Sequence, residues 1–185
     1  MKLASSPDGI HWEIEPKTLN FGGLGPKLGD VVVISFDSKF GRYILNTRHP
    51  DAWKINYGNL YPDNKNWSIP YFPNNPTQNN KRRIFRTYSY DLLNWSELTE
   101  ILAADPNDDD LDESFYSMSS SMISSTRPET SIHPSQKLDL YVGFLNVFHQ
   151  VENTLDVQMV FSRDGRNWNR TNKRQPFIDN GPENS

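Results

Sequence analysis

The sequence predicts an all-β fold, and three observations lead to this prediction. Its apolar runs are short and rich in β-branched and aromatic residues, as at Val31–Phe36. No long stretch keeps the 3.6-residue apolar period and the caps of a helix. One heptapeptide, Ser-x-Asp-x-x-[His/Asn]-Trp, occurs three times, at 6–12, 89–95 and 162–168. A repeated element of this kind indicates a repeated structural unit.

Alignment on the heptapeptide predicts four strands in each unit, in the same order. The heptapeptide follows the third strand, and the fourth strand comes after its Trp. The predicted strands are Val31–Phe36, Tyr43–Thr47, Ile84–Ser89 and 96–102 in one unit, and Phe115–Ile123, Tyr141–Phe148, Val157–Ser162 and 169–178 in the next. Four antiparallel strands in a repeated unit are typical of a β-propeller blade.

This alignment predicts a partial β-propeller, with about two complete four-stranded blades and remnants of two flanking blades. Residues 1–20 would end one blade, and residues 179–185 would start another. The complete blades would be 21–104, with an insert at 51–80, and 105–178. Two blades do not close a ring, and open sheet edges pair with other chains. We therefore expect a fragment that needs the rest of the propeller, or else a chain that closes its ring by oligomerising.

Composition excludes several classes of function. The net charge is −4 and the longest basic run is Lys81–Arg83, so nucleic acid is not an expected partner. No apolar window is long enough for a membrane helix. The chain has no Cys, which excludes disulfides and thiolate metal sites. The acidic run 105–110 lacks the Gly and the ligand spacing of a calcium loop, so neither a metal nor a cofactor is predicted. No signal peptide is visible; the compartment stays open, with an extracellular or periplasmic full-length protein as one option.

Several segments, taken in order, resemble a known superfamily. They are "KLASSPDGIHW", "VVVISFDSKFGRYIL", "RRIFRTYSYDLLNWSE", "DESFYSM" and "LDVQMVFSRDGRNW". In this order they resemble the five-bladed propellers of glycoside hydrolase families 32 and 43, above all bacterial proteins described as family 32 N-terminal-like. The resemblance implies an oligosaccharide or polysaccharide substrate and hydrolysis of its O-glycosidic bonds by paired carboxylates. The alternative is a propeller that binds carbohydrate without catalysis or has only a structural role.

Two carboxylates are the candidate catalytic residues. Asp37 follows the first strand of its unit and resembles the family's transition-state-stabilising Asp, although Ser38 stands where the family has Pro. It is equally well explained as part of a hairpin turn that ends at Gly41 with a positive φ. Glu113 precedes the first strand of the next unit, where it could be the general acid. Its alternative is a solvent-facing residue at a strand end.

Further candidates could bind the hydroxyl or carboxylate groups of a sugar. His49 and His149 end the second strands of their units, so they could bind sugar or make the same structural hydrogen bond twice. The complete set of candidate substrate-binding residues is Arg48, His49, Arg86, Asp112, Tyr116, His149 and Glu183. The aromatic insert at 51–80 could stack on sugar rings or simply cover the blade edge.

The heptapeptide itself has a structural interpretation. Asp164 and Gly165 suit a tight turn, in which Ser162 and the Asp carboxylate bond backbone N–H groups and Trp168 packs between sheets. A sugar-stacking Trp with a catalytic Asp is the functional alternative. Recurrence in every unit favours the structural role, because a propeller has a turn in every blade but one central site.

Overall fold

The computed structural model describes residues 2–22, 28–48, 82–104, 113–127, 136–149 and 152–181, and in these residues the chain is all-β. Two four-stranded antiparallel sheets make up most of the structure, and two two-stranded sheets accompany them. The short pairs are β1 (Ala4–Ser5) with β2 (Glu13–Ile14), and β3 (Asn20–Phe21) with β7 (Asn94–Trp95). No helix in the described residues is long and apolar enough to cross a membrane.

Sheet I has the strand order β4-β5-β6-β8. Its strands are β4 (Val32–Asp37), β5 (Arg42–Thr47), β6 (Ile84–Ser89) and β8 (Thr99–Leu102). The turn between β4 and β5 places Gly41 at φ 62°, a backbone conformation that L-residues avoid. The hairpin expected at this point is therefore confirmed.

Sheet II has the strand order β9-β10-β11-β12. Its strands are β9 (Glu113–Arg127), β10 (Gln136–His149), β11 (Thr154–Ser162) and β12 (Asn169–Arg170). A bridge between Val157 and Ile178 continues the outer edge beyond β12. Both sheets thus contain four strands in the predicted chain order, and β9 and β10 are longer than predicted.

The two sheets pack face to face, with β4 against β9. One apolar cluster fills their interface; its buried members are Ile84, Ala104, Phe115, Met118, Leu145, Val147 and Val160. A second cluster covers the opposite face of sheet I with the N-terminal segment; its buried members are Leu19, Phe21, Leu45 and Trp95. Sheet I is therefore covered on both faces, as a middle layer is.

The first strands of the two sheets run in the same direction. Asn46, opposite Val33 in sheet I, donates from Nδ2 to the Met118 carbonyl of β9 at 2.9 Å. At the other end of β4, Asp37 accepts a hydrogen bond from Tyr141, which lies opposite Met122 of β9. We call the end where β4 and β9 begin the entry end, and the end where they finish the exit end. The described sheets do not close into a ring, so the all-β class is confirmed and the propeller is not.

Candidate functional site

The three heptapeptides form the same loop. In each, the Asp Oδ1 accepts hydrogen bonds from the backbone N–H groups two and three residues later, at 2.7–2.9 Å. Its Oδ2 contacts the side chain of the sixth residue at 2.7–2.8 Å. The Trp indole Nε1 donates to the carbonyl three residues earlier, at 3.0–3.2 Å. The heptapeptide is a self-contained turn, as the structural interpretation expected.

These hydrogen bonds occupy the Asp carboxylates completely. The N–H donors of Asn167 and Arg166 lower the pKa of Asp164, and His11 and Asn94 are the main donors for Asp8 and Asp91 in the same way. A carboxylate that is held ionised by so many donors is a poor proton donor or nucleophile. The loops are structural elements of the fold.

At the entry end, Arg48 connects the two sheets. Its guanidinium forms an ion pair with Asp30, and its Cζ lies 4.8 Å from the centre of the Tyr116 ring. Arg82 contacts the same ring and that of Phe148, at 5.2 and 4.8 Å. Both arginines lie next to strands of sheet I, since Arg48 follows β5 and Arg82 precedes β6, whereas both rings belong to sheet II. Cation–π contacts therefore join the sheets where their first strands begin.

Glu113 lies beside a polar group at the same end of sheet II. His149 Nε2 contacts Asp156 Oδ2 at 2.7 Å, and its Nδ1 is 3.8 Å from Glu113 Oε1. Arg170 Nη2 is 4.0 Å from Glu113 Oε2, and its Nε donates to Gln158 at 3.0 Å. The side chains of Glu113 and His149 keep 14 % and 19 % of their area exposed, whereas Asp156 and Arg170 keep 6 % each. The group is built on buried residues and opens to solvent through Glu113 and His149.

Asp37 lies at the exit end and is 2 % exposed. Its Oδ1 accepts from the Tyr141 hydroxyl at 2.9 Å and from the Lys39 N–H at 3.2 Å, and its Oδ2 accepts from Arg42 Nε at 3.3 Å. Burial, followed by the hydrogen bond to this carboxylate, raises the pKa of Tyr141. Asp37 is thus embedded between the sheets, in a network that fixes the β4–β5 hairpin.

Arg86 enters the interface from the middle of β6. It donates from Nε to Asn46 Oδ1 at 2.9 Å, from Nη2 to Ser120 Oγ at 2.9 Å and from Nη1 to the Gly165 carbonyl at 2.6 Å. Burial lowers its pKa to about 10, and the field of Asp37 opposes this effect. Arg86 therefore joins sheet I to sheet II and to the third heptapeptide loop.

The structure does not bring Asp37 and Glu113 together, and the expectation that they act on one bond is corrected. Nine residues of β9 separate Glu113 from Met122, which is roughly 30 Å of extended strand. Paired carboxylates of glycosidases lie about 5–10 Å apart. Of the predicted site residues, Arg48, Glu113, Tyr116 and His149 share the entry end, Asp37 lies at the exit end, and Arg86 lies between the two ends. His49, Asp112, Glu183 and the insert at 51–80 lie outside the described residues.

The strand register also corrects the equivalence drawn between the two histidines. The heptapeptide Ser89 lies opposite Tyr43, and the heptapeptide Ser162 lies opposite Tyr141. Tyr43 therefore corresponds to Tyr141, and Thr47 corresponds to Leu145. In the same register Asp37 corresponds to Ile123. His49 follows its tyrosine by six residues and His149 follows its own by eight, so the two histidines are not at equivalent positions of the repeat.

The entry end also contains four residues that were not predicted: Asp30, Asp156, Gln158 and Arg170. Asp30 directly precedes the apolar run of β4, as Glu113 precedes that of β9, and this parallel could have identified it. Asp156 alternates with the buried Gln158 along β11, a pattern that indicates an inward-facing carboxylate. The described residues contain no group of three or more His, Asp or Glu that could hold a metal ion.

Comparisons with known proteins do not identify a family. No protein-family model matches the chain, and no curated protein matches it. One similar solved structure is an N-acetylgalactosamine deacetylase from F. plautii in complex with blood group B trisaccharide, with a TM-score of 0.48 and 14 % sequence identity. The match covers 94 % of this chain but 34 % of that chain. A TM-score of this size assigns neither a fold nor a function.

Proposed function

We propose that this chain is part of a carbohydrate-active β-propeller that binds sugar at its entry end. Three features support the propeller: two consecutive four-stranded meanders with the same strand order, first strands that pack side by side in one direction, and one loop type after each third strand. In a propeller, the first strand of each blade faces the central channel. The entry ends of β4 and β9 would therefore open into that channel.

The observation that carries the sugar site is the group of side chains at the start of these two strands. Arg48 offers hydroxyl-binding donors held in place by Asp30 and Tyr116. Glu113 offers acceptor oxygens, and its side chain and that of His149 remain partly exposed. A few fixed polar groups beside an aromatic ring are the usual composition of a small-ligand site. Hydroxyl groups of a sugar match these donors and acceptors.

If the propeller hydrolyses a glycosidic bond, Glu113 is the proposed general acid. Asp37 is too far away to be its partner. Asp156 contacts the other side of the His149 ring, so this ring stands between Asp156 and Glu113. A hydrolase built on Glu113 therefore requires a second carboxylate from another part of the propeller.

Carbohydrate binding without catalysis is the second candidate, and a specific observation favours it. Asp37 is buried and accepts three hydrogen bonds, which supports a structural role for one of the two predicted catalytic carboxylates. Sugar binding needs only the hydrogen-bonding groups of the entry end.

Glu113→Gln tests the proposal, with Glu152→Gln as a matched control on an exposed turn. The protein and both variants are applied to a glycan panel, and both binding and release of reducing sugar are measured. We expect E113Q to weaken binding by about tenfold, because a charged acceptor is lost, and to abolish any hydrolysis. Binding without hydrolysis by the unaltered protein supports the second candidate. Binding that E113Q and E152Q leave equally intact, or no binding to any glycan, contradicts the entry-end site.

A further inference from the structure

A cleft lies beside Asp37 and Arg86. This cleft has a volume of ≈ 380 Å³ and lies between sheet I and the third heptapeptide loop. The side chains that matter for its chemistry are Arg42, Arg86, Tyr88, Thr99 and Arg166. Its volume falls within the range of small-molecule sites, and the proposed entry-end sugar site plays no part in it.

The guanidinium group of Arg42 is held in position in the cleft by two aromatic rings. Its Cζ lies 4.6 Å from the centre of the Phe40 ring and 4.5 Å from that of Tyr88, so the guanidinium is stacked between two rings. Its Nε donates to Asp37, and its side chain is 20 % exposed. Within the described part of the chain, no acceptor contacts its two terminal nitrogens. Those nitrogens are therefore prepositioned for a ligand without loss of side-chain freedom on binding.

The carboxylates that line the cleft are already engaged by other groups. Asp37 accepts three hydrogen bonds, Glu100 contacts Arg83 at 2.9 Å, and Asp164 is occupied by the N–H donors of its own loop. Arg86, in contrast, contacts only neutral oxygens. Three guanidinium groups and three carboxylates line the cleft. Arg83, the ion-pair partner of Glu100, adds a fourth guanidinium, so the net charge of the site is one positive charge.

We propose that this cleft binds the carboxylate of a small molecule such as an acidic sugar. One excess positive charge matches a monoanion, and the two free nitrogens of Arg42 match the two oxygens of a carboxylate in a bidentate pair. Arg166, which is exposed on the loop, reaches the same anion, and the Thr99 and Tyr88 hydroxyls bond the rest of the ligand. A phosphate dianion would leave net negative charge in the cleft.

The test titrates the protein with glucuronate, with glucose as the neutral counterpart and with inorganic phosphate. Nuclear magnetic resonance follows the Trp168 indole N–H, which donates to Gly165 at the edge of the cleft. We expect saturable shifts with glucuronate, none with glucose, and weaker binding of phosphate. Absence of a glucuronate response, an equal response to glucose, or tighter binding of phosphate would overturn the proposal.

Two variants localise the binding. Arg166→Gln should weaken glucuronate binding by about tenfold, because one charge-assisted hydrogen bond is lost. Arg163→Gln is the matched control, since Arg163 is exposed on the same loop but does not line the cleft. Arg42→Lys keeps the charge near Asp37 but removes the planar fork, so affinity should fall while the melting temperature is maintained. Equal effects of R163Q and R166Q, or no effect of R42K, would contradict the site.

Discussion

The first and second heptapeptide loops make the same hydrogen bonds, but the Trp of the first is exposed and the Trp of the second is buried. Asp8 and Asp91 each bind two backbone N–H groups and the sixth side chain, and each Trp donates to the carbonyl three residues before it. Yet Trp12 is 63 % exposed and Trp95 is 5 % exposed. Trp95 stacks on Phe21, with ring centres 5.9 Å apart, whereas Trp12 is outside both apolar clusters.

This difference shows that the seven residues have two separate roles, which are to set the loop conformation and to supply a Trp for packing. The conformation of the loop follows from local hydrogen bonds, so it forms wherever the motif occurs. The contribution of the Trp to stability depends on what the fold places over its ring. The third loop combines both roles, because Arg86 bonds its Gly165 carbonyl and stacks on Trp168 with Cζ 5.1 Å from the ring.

Replacing the tryptophans should give the largest contrast between the loops. We expect Trp95→Ala to lower the free energy of unfolding by about 3–5 kcal/mol, because it leaves a cavity in a packed cluster. Trp12→Ala should change it by less than about 0.5 kcal/mol, as exposed substitutions usually do. Urea denaturation followed by circular dichroism measures both. Equal losses would show that Trp12 is packed in solution.

Replacing the loop glycines by Ala should give a smaller difference in stability between the first and third loops than the Trp replacements give between the first and second. Gly9 and Gly165 have φ of 76° and 72°, so an Ala at either position should cost about 1 kcal/mol through backbone strain. At Gly165 an added Cβ would also lie 3.3 Å from Arg86 Nη1, whereas at Gly9 it would meet open space. Thermal denaturation should therefore show Gly165→Ala to be more destabilising than Gly9→Ala. The reverse order would argue against the close contact of Arg86 with the third loop.

Removing the loop carboxylate should have a smaller effect. Asp164→Ala leaves the backbone N–H groups of Arg166 and Asn167 without their acceptor, and a lost acceptor of this kind costs about 1 kcal/mol. The third loop also contacts Arg86, so D164A should lower the melting temperature more than Asp8→Ala does in the exposed first loop. Differential scanning calorimetry measures both melting temperatures. Identical shifts would mean that the contact with Arg86 does not make the third loop more important for stability than the first.

The acid dependence of stability should show the smallest effect. Because N–H donors lower the pKa of Asp164 in the folded state, its contribution is complete above the ordinary carboxyl pKa of about 4 and is lost as the pH falls through the lowered value. Asp164→Asn removes this titration, so melting temperature should fall less steeply with pH between about 5 and 2. A slope that matches that of the unaltered protein would contradict the role of this carboxylate.

Local sequence predicted the strands of sheet I better than those of sheet II. β6 has the predicted bounds Ile84–Ser89, because its β-branched and aromatic residues favour a strand. β9 was predicted to begin at Phe115 and end at Ile123, yet it extends to Glu113 and Arg127. The Ser-rich residues of β9 have little intrinsic strand preference. Pairing with the full length of β10 decides the extent of β9.

The candidate site depended on tertiary structure even more strongly. Asp37 follows the first strand of its unit and Glu113 precedes the first strand of the next, but the sequence does not say how these two strands are oriented relative to each other. Because β4 and β9 run in the same direction, the finish of one and the start of the other lie at opposite ends of the molecule. That direction also brings Arg48 and Asp30 of one sheet to Tyr116 of the other.

The sequence by itself determined the all-β class, the strand order within each sheet and the three heptapeptide loops. The class and the strand order follow from the pattern of apolar runs and its repeat, and the loops rest on contacts between residues that are near in sequence, such as the Asp carboxylate with the next N–H groups. Only the tertiary structure decided the register of the repeat, the burial of each Trp and the grouping of the polar side chains at the two ends. These depend on which faces of the sheets meet, and side chains as distant in sequence as Asp37 and Tyr141 make that contact.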